Sequence, residues 1–402
     1  MDHSETLLRI EFRRHFGGSG CTHLVRAPGR VNLMGDHTDY NGLPVLPMAI
    51  QRQLTMVARP RSDSTVSIAS ADARFPPRTF GLSSEIDPYP AGDWGNYAKA
   101  AGQEMARRWG RLVGFDAVVS SDIPIAAGLS SSSALVMAVT LMILDVNDVA
   151  IGGAQLMELV ARAERYVGTE GGGMDQAICL GARPGTASRI DFNPLRLTPI
   201  PVPSGWCFII AFSGVQAEKS GPLMQIYNRR TEECEDALRR VAAAMGANNT
   251  TSYLGLMSGI PAADLLAAAE DVLDDTLFPR FRHVVTEARR VSAAETALQK
   301  DDLAGFGELM NQSHHSLRDD FAVSCPELDR LTAAALDAGA AGARLTGAGF
   351  GGCIVALSQT DEADHVLRSL DRDYFAVGGR DTSGGDSLFV AEPSGGAAVV
   401  EL

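Results

Sequence analysis

"PIAAGLSSSSALVMAV", residues 124–139, sets a glycine and four serines directly before an apolar run with helical periodicity. Small residues let a backbone approach a ligand closely. The free N–H groups and hydroxyls at a helix start favour an anion, and a serine hydroxyl in a phosphate loop can also hold Mg2+. A serine-capped turn feeding a buried helix has the same pattern, so the stretch alone leaves both readings open. It is not a Walker loop, which needs a Gly-Lys pair; lysine occurs only at Lys99, Lys219 and Lys300. No VAIK, HRD or DFG set of a protein kinase is present. The "GAGFGG" at Gly347 precedes a strand pattern, which is not the strand-to-helix setting of a dinucleotide fold.

The bulk numbers narrow the rest. A chain of 402 residues, 45% hydrophobic and 21% charged, has an ordinary globular composition, and its length suits roughly two or three domains. Its longest apolar run, "ALVMAVTLMIL" (134–144), falls well short of the ~20 residues of a spanning helix. The opening "MDHSETLLRIEFRRHF" mixes acids and bases without an apolar core, so no signal peptide is expected and a cytoplasmic location follows. A formal charge of −14, from 49 acids against 35 bases, argues against a nucleic-acid partner. An anionic substrate stays open, because glycine-rich loops bind phosphate locally. The six cysteines show no CxxC spacing and read as free thiols in a reducing compartment.

Along the chain, "GNYAKAAGQEMARRWG", "SSSALVMAVTLMILDVND" and "AQLMELVARAERYVG" carry helical periodicity in the first half. The apolar run "GWCFIIAFSG" (205–214) reads as a buried strand leading into a helix-rich second half. Helices are expected there over 227–245, 262–272, 282–298, 303–314 and 327–337, interrupted by the strand pattern "GFGGCIVALS". The expectation is an α+β fold of two lobes, 1–200 and 201–402, with a cleft between them.

Other constellations also suggest chemistry. In "AERYVGTEGGGMDQ" (163–176), Glu164 ends an amphipathic helix and Asp175 follows a run of glycines, Gly171 to Gly173. A carboxylate beyond so permissive a loop can act as a general base, and it can equally cap the next helix. "GARLTGAGFGGCIVAL" (342–357) wraps glycines around Arg344 and Thr346 and is weak as a lone motif. "GRVNLMGDHTDYNG" (29–42) crowds Arg30, Asp36, His37, Asp39 and Tyr40 between glycines, and nothing in it reads as an element that needs those groups for folding. Ligands so close in sequence rarely complete a closed metal site. Carboxylates, imidazole and phenol converging on sugar hydroxyls fit the turn better.

Together these stretches resemble the GHMP superfamily of small-molecule kinases and, within it, the galactokinase family. "APGRVNLMGDHTDYNGLPVLPMAI" is similar to the galactokinase signature, "GLSSSSA" to the superfamily phosphate loop and "LTGAGFGG" to its C-terminal glycine motif. "WGNYAKAA" and "MNQSHHSLRDDFAVSCPELDRL" add to a likeness that runs nearly the whole chain in order. The resemblance implies the two-lobed GHMP kinase fold with its active site between the lobes, ATP and Mg2+ as cofactors, and phosphorylation of a galactose-type sugar at its anomeric hydroxyl. It implies Asp175 as the base and Arg30 as the cation beside it. Asp36, His37, Asp39, Gly173 and Tyr227 would contact the sugar. Gly128, Leu129, Ser130, Ser131, Ser132, Ser133 and Ala134 would hold the ATP phosphates, with Ser132 and Glu164 on Mg2+. Partners would be the sugar and ATP alone, without nucleic acid or membrane, on a monomer or weak homodimer.

The chain departs from the family pattern twice. Asp36 stands where the signature has Glu, a position associated with the sugar C6 hydroxyl, and its carboxylate sits back by roughly 1.5 Å. "GTEGGGMDQ" replaces the usual Cys-Gly-Ile before Met-Asp-Gln and, with "FNPLRLTPIPVPSG", resembles the N-acetylgalactosamine kinase branch. Glycines beside the ring would make room for an acetamido group. A kinase for L-arabinose or a uronic acid, and a non-catalytic sugar- and ATP-binding regulator, are the alternatives. His314 and His315 read as a solvated helix end.

Overall fold

The computed structural model describes residues 3–18, 20–168, 171–217, 222–247, 249–380 and 382–402. In chain order the strands are β1 (His23–Met34), β2 (Leu46–Pro60), β3 (Thr65–Ser70), β4 (Arg78–Gly81), β5 (Phe115–Ser121), β6 (Thr186–Phe192), β7 (Leu195–Pro201), β8 (Trp206–Phe212), β9 (Gly342–Leu345), β10 (Cys353–Gln359), β11 (Leu388–Ala391) and β12 (Ala398–Glu401). A six-stranded sheet runs β12-β1-β2-β5-β3-β4, a four-stranded sheet runs β11-β8-β10-β9, and β6 and β7 form a hairpin. Within the six-stranded sheet β3 and β5 are parallel and the other pairs antiparallel.

The expected division at residue 200 needs one correction. The last strand, placed by the sequence in the second lobe, returns to the first: β12 pairs with β1, Val25 opposite Val399. The helix Gly95–Trp109 and the serine-rich helix Ser131–Val146 cover the six-stranded sheet and bury Ala98, Met105, Val136 and Met142 against it. In the second lobe, the alternation of β8 divides its side chains between two cores. Phe208 and Ile210 face one, while Cys207, Ile209 and Ala211 face the other with the helices Pro222–Ala244, Leu277–Gln299 and Pro326–Asp337. This is the period-2 geometry of a strand buried on both faces.

The expected helices of the second half are present as Pro222–Ala244, Ala262–Glu270, Leu277–Gln299, Leu303–Asp319 and Pro326–Asp337. The sequence reading missed β1. Its pattern is broken by Pro28 and Gly29, and the polar residues Arg30 and Asn32 are buried along with the apolar ones. Consequently Arg30, expected in a turn, lies on a strand. The register between β1 and β2 shifts between Pro28 and Arg30 and again between Asn32 and Met34, and such bulges redirect side chains.

Candidate active site

The phosphate-loop stretch forms a tight turn into the helix Ser131–Val146. Gly128 has φ +76°, and Ser130, the residue before the helix, sits in the left-handed region at φ 63°. Strain of this kind persists where the surroundings fix it. The C-terminal glycine motif supplies the clamp: a Cβ on Gly347 would lie 2.7 Å from the Gly128 carbonyl, and Cys353 N–H donates to the Ala127 carbonyl at 3.0 Å. So the two glycine-rich stretches interlock.

A cavity of about 500 Å³ opens beside this turn, lined by Gly128 to Ser132 and by Phe75, Trp94, Tyr97 and Leu135. Aromatic and aliphatic walls next to free helix N–H groups suit a nucleotide, the base against the apolar wall and the phosphates at the helix start. Ser133 and Ala134 do not line it. The Ser133 hydroxyl accepts from Gln176 at 3.4 Å and Ala134 is buried in the core, so their side chains serve the fold. Trp94 and Tyr97 belong to the family-like stretch "WGNYAKAA", to which the sequence assigned no role, and Phe75 was not singled out.

A second, smaller cavity is lined by Arg30, Asp36, His37, Asp39, Glu164, Gly171 to Gly173, Asp175 and Tyr227, with Gly347 and Ala348. Every residue expected around the sugar is therefore brought together. Arg30 lines both cavities. Its Nε donates to Asp175 Oδ1 at 2.7 Å and its Nη1 to the Gly128 carbonyl at 2.5 Å, so one buried guanidinium ties the aspartate to the phosphate loop. Asp175 stands in the first turn of the helix Met174–Gly181, after Gly173 at φ +100°.

Tyr227, on the helix Pro222–Ala244, closes the cavity from the second lobe, its ring 5.7 Å from that of His37 and 5.8 Å from that of Tyr40. Burial, then the carboxylates of Asp39, Asp175 and Asp36, push its phenol well above the ordinary range, so it stays a neutral donor. His37 has φ 65° and its Nδ1 lies 2.9 Å from the Tyr40 hydroxyl.

Of the pair expected around Mg2+, Ser132 lines the larger cavity with Tyr97, and Glu164 lines the smaller one. Burial and then the Glu164 carboxylate push the Tyr97 phenol up to about 12. A hydroxyl and a carboxylate are the hard oxygen donors Mg2+ prefers, and it commonly keeps water and phosphate for its remaining positions. No group of three or more His, Cys, Asp or Glu arranged to hold a metal occurs among the described residues.

Asp36 departs from expectation. Its carboxylate meets Arg344 Nη2 at 2.5 Å and accepts from Asn32 Nδ2 at 2.9 Å. Burial nevertheless raises it above the usual carboxylate range, with Arg344 opposing. The turn's charged group is thus paired within the interior of the fold. Around it lies a buried polar group on the second lobe that the sequence did not suggest. Glu287 accepts from the Gly35 N–H at 2.9 Å and from the Ser313 hydroxyl at 2.6 Å, and His283 Nε2 donates to the Asp36 carbonyl at 3.1 Å. Burial works to raise Glu287, but Arg290, Arg344 and His283 outweigh it and hold it at about 2. His283 is lowered to about 4 by burial. His314 belongs to the interior too, 3.3 Å from Asp329, whereas His315 is exposed as expected.

The triple glycine also reads differently in three dimensions. A Cβ on Gly172 would lie 2.2 Å from the Asp39 carbonyl carbon and from the Tyr40 nitrogen, so this glycine lets the loop pack on the sugar turn. It makes no room for substrate. Gly171 faces open space.

Two lobes, a glycine-serine turn beside a nucleotide-sized cavity and a carboxylate–guanidinium pair at its inner end define a small-molecule kinase of the GHMP type. The profile of the GHMP kinases N terminal domain matches residues 96–182 and that of the GHMP kinases C terminal matches 294–376. A mevalonate kinase from Methanococcus jannaschii, 19% identical, shares the fold at a TM-score of 0.61 over 94% of this chain and 100% of its own.

The galactokinase galactose-binding signature matches residues 10–60. A galactokinase of Chloroflexus aggregans is 38% identical over 92% of this chain and 92% of its own, and one of Roseiflexus is 36% identical over 98% and 96%. The crystal structure of Lactococcus lactis galactokinase complexed with galactose superposes at a TM-score of 0.86, with 32% identity over 98% of this chain and 99% of that one. The chain belongs to the galactokinase family.

Proposed function

We propose that this protein transfers the terminal phosphoryl group of ATP to the anomeric C1 hydroxyl of D-galactose. The observation that carries the reading is Arg30, which joins the sugar-side cavity to the phosphate loop through Asp175 Oδ1 and the Gly128 carbonyl. A sugar held by Asp39, His37, Gly173 and Tyr227 would present its C1 hydroxyl to Asp175. Phosphoryl transfer is loose and depends mainly on placement, so the aspartate orients the hydroxyl and takes its proton as transfer proceeds. Arg30 stabilises charge on the attacking oxygen and on the transferring group. The loop N–H groups from Gly128 to Ser132 hold the phosphates. Mg2+, held by Ser132 and Glu164, would neutralise phosphate charge.

The finer parts of the reading go with it: a monomer or weak homodimer in the cytoplasm. No helix among the described residues is long and apolar enough to cross a membrane. The six cysteines are unpaired, four of them buried, as suits a reducing compartment. The test is ADP release with Mg2+-ATP against galactose, N-acetylgalactosamine, galactosamine, L-arabinose, glucose and galacturonate. Galactose as the clear winner supports the reading, and silence across the panel with sugar and ATP still binding by calorimetry refutes it. Turnover of N-acetylgalactosamine would need room that Gly172 does not supply.

A further inference from the structure

Asp36 lines the sugar cavity, yet its bonds lead away from it. Oδ2 pairs with Arg344 Nη2 at 2.5 Å, Oδ1 accepts from Asn32, and its own carbonyl accepts from His283. Arg344 is 0% exposed, its Nη1 donates to the Asn32 carbonyl at 3.4 Å, and its Nε has no hydrogen-bond partner. Glu287 Oε1 lies 3.9 Å from Nη2, a weaker counter-charge than Asp36. A guanidinium buried this deeply and already short of one acceptor cannot release the carboxylate that neutralises it without a large cost. A turn of Asp36 toward substrate would break that pair. The remaining bonds have one purpose in common. Thr346 Oγ1 accepts the Asn32 N–H at 2.8 Å, and Glu287 accepts the Gly35 N–H, so the second lobe grips β1 and the sugar turn at consecutive points.

We infer that Asp36 is a positioning residue that fixes the sugar turn through Arg344, and that it takes no part in choosing among sugars. The inference rests on the sugar-kinase reading above. It makes Arg344 and Asp36 a single unit whose effect reaches the sugar through the backbone that presents His37 and Asp39. Damage to the unit then weakens every sugar by a common factor, whatever the sugar carries at C6.

The experiment measures kcat and KM for galactose and for 6-deoxygalactose, which differ only at that position, in the wild type, Asp36→Asn, Arg344→Gln and the double variant. The expected result is a ten- to hundredfold rise in sugar KM in each variant, equal for the two sugars within about twofold, with KM for ATP unchanged. The double variant should lose no more than the worse single one, since groups acting as a unit are not additive. A loss confined to galactose would overturn the inference by making Asp36 a sugar ligand, and so would additive losses or unchanged sugar KM. Where Asp36→Asn fails to fold, Arg344→Lys retains the charge, and the same equal rise for both sugars is required of it. A silent wild type counts against the sugar-kinase reading itself, and a sugar-selective loss in an active enzyme counts against this inference alone.

Discussion

Substituting one methyl group tests how the glycine loop and the sugar turn depend on each other. In Gly172→Ala the new Cβ would lie 2.2 Å from the Asp39 carbonyl carbon, 2.2 Å from the Tyr40 nitrogen and 2.6 Å from Asp39 Cγ, where ordinary contact begins at 3.4 Å. Two of these atoms are backbone, so relief requires the turn and loop to part by about 1 Å. Overpacking of this kind costs about 1–3 kcal/mol. A misplacement of about 1 Å at a site that positions substrate costs about 10²-fold in rate. Sugar kcat/KM should therefore fall about a hundredfold and the melting temperature should drop, while KM for ATP stays near wild type. Gly153→Ala, outside both cavities, is the control: nothing lies within 4 Å of its Cβ, and its kinetics should stay within about twofold of wild type. Steady-state kinetics and thermal melts of both variants decide the matter. A Gly172→Ala enzyme indistinguishable from the Gly153→Ala enzyme would refute the packing argument.

Other expectations concern the reacting groups and the buried histidine. Asp175→Asn should abolish turnover and leave ATP binding by calorimetry largely intact; near-normal turnover would remove the aspartate from its role. Arg30→Lys loses the planar fork that reaches both Asp175 and the Gly128 carbonyl, and kcat should fall about 10²–10³-fold, the range for removing one charge-stabilising donor. His283 is lowered from 6.5 to about 4, so between those values the unfolded chain binds more protons than the folded one. Stability is then full above pH 6.5 and lost as pH falls toward 4, amounting to about 2 kcal/mol between pH 7 and pH 5 for this residue. Urea midpoints should show His283→Gln with a flatter pH dependence than wild type, and an unchanged slope would contradict the assignment.

The parts of the site legible in the sequence were the glycine-rich loops and the crowded polar turn from Arg30 to Tyr40. Glycines and serines before an apolar helix mark a place where N–H groups are free, and that signal survives without knowledge of the fold. Asp175 was legible because it follows the glycine run Gly171 to Gly173, whose permissive backbone leaves room beside it. Groups acting across long sequence separations were legible only where the family likeness carried them, as for Arg30 with Asp175. Asp36 and Arg344 are 308 positions apart, and only the sheet that carries β9 toward β1 brings them together. Glu287 and His283 sit on what reads as an ordinary amphipathic helix, and their burial is decided by the lobe packed over them. β1 escaped notice because Pro28 and Gly29 interrupt its strand pattern. β12 did so because no local pattern tells a terminal strand which sheet it will join.

The most direct test of the central claim is identification of the product. Wild-type protein incubated with Mg2+-ATP and D-galactose, followed by 31P NMR with coupling to the sugar protons, should yield ADP and a phosphate monoester at the anomeric carbon, absent with Asp175→Asn. Phosphate at any other carbon, or ADP formed only by hydrolysis with the sugar untouched, would contradict the assignment of Asp175 and Arg30 to the C1 hydroxyl.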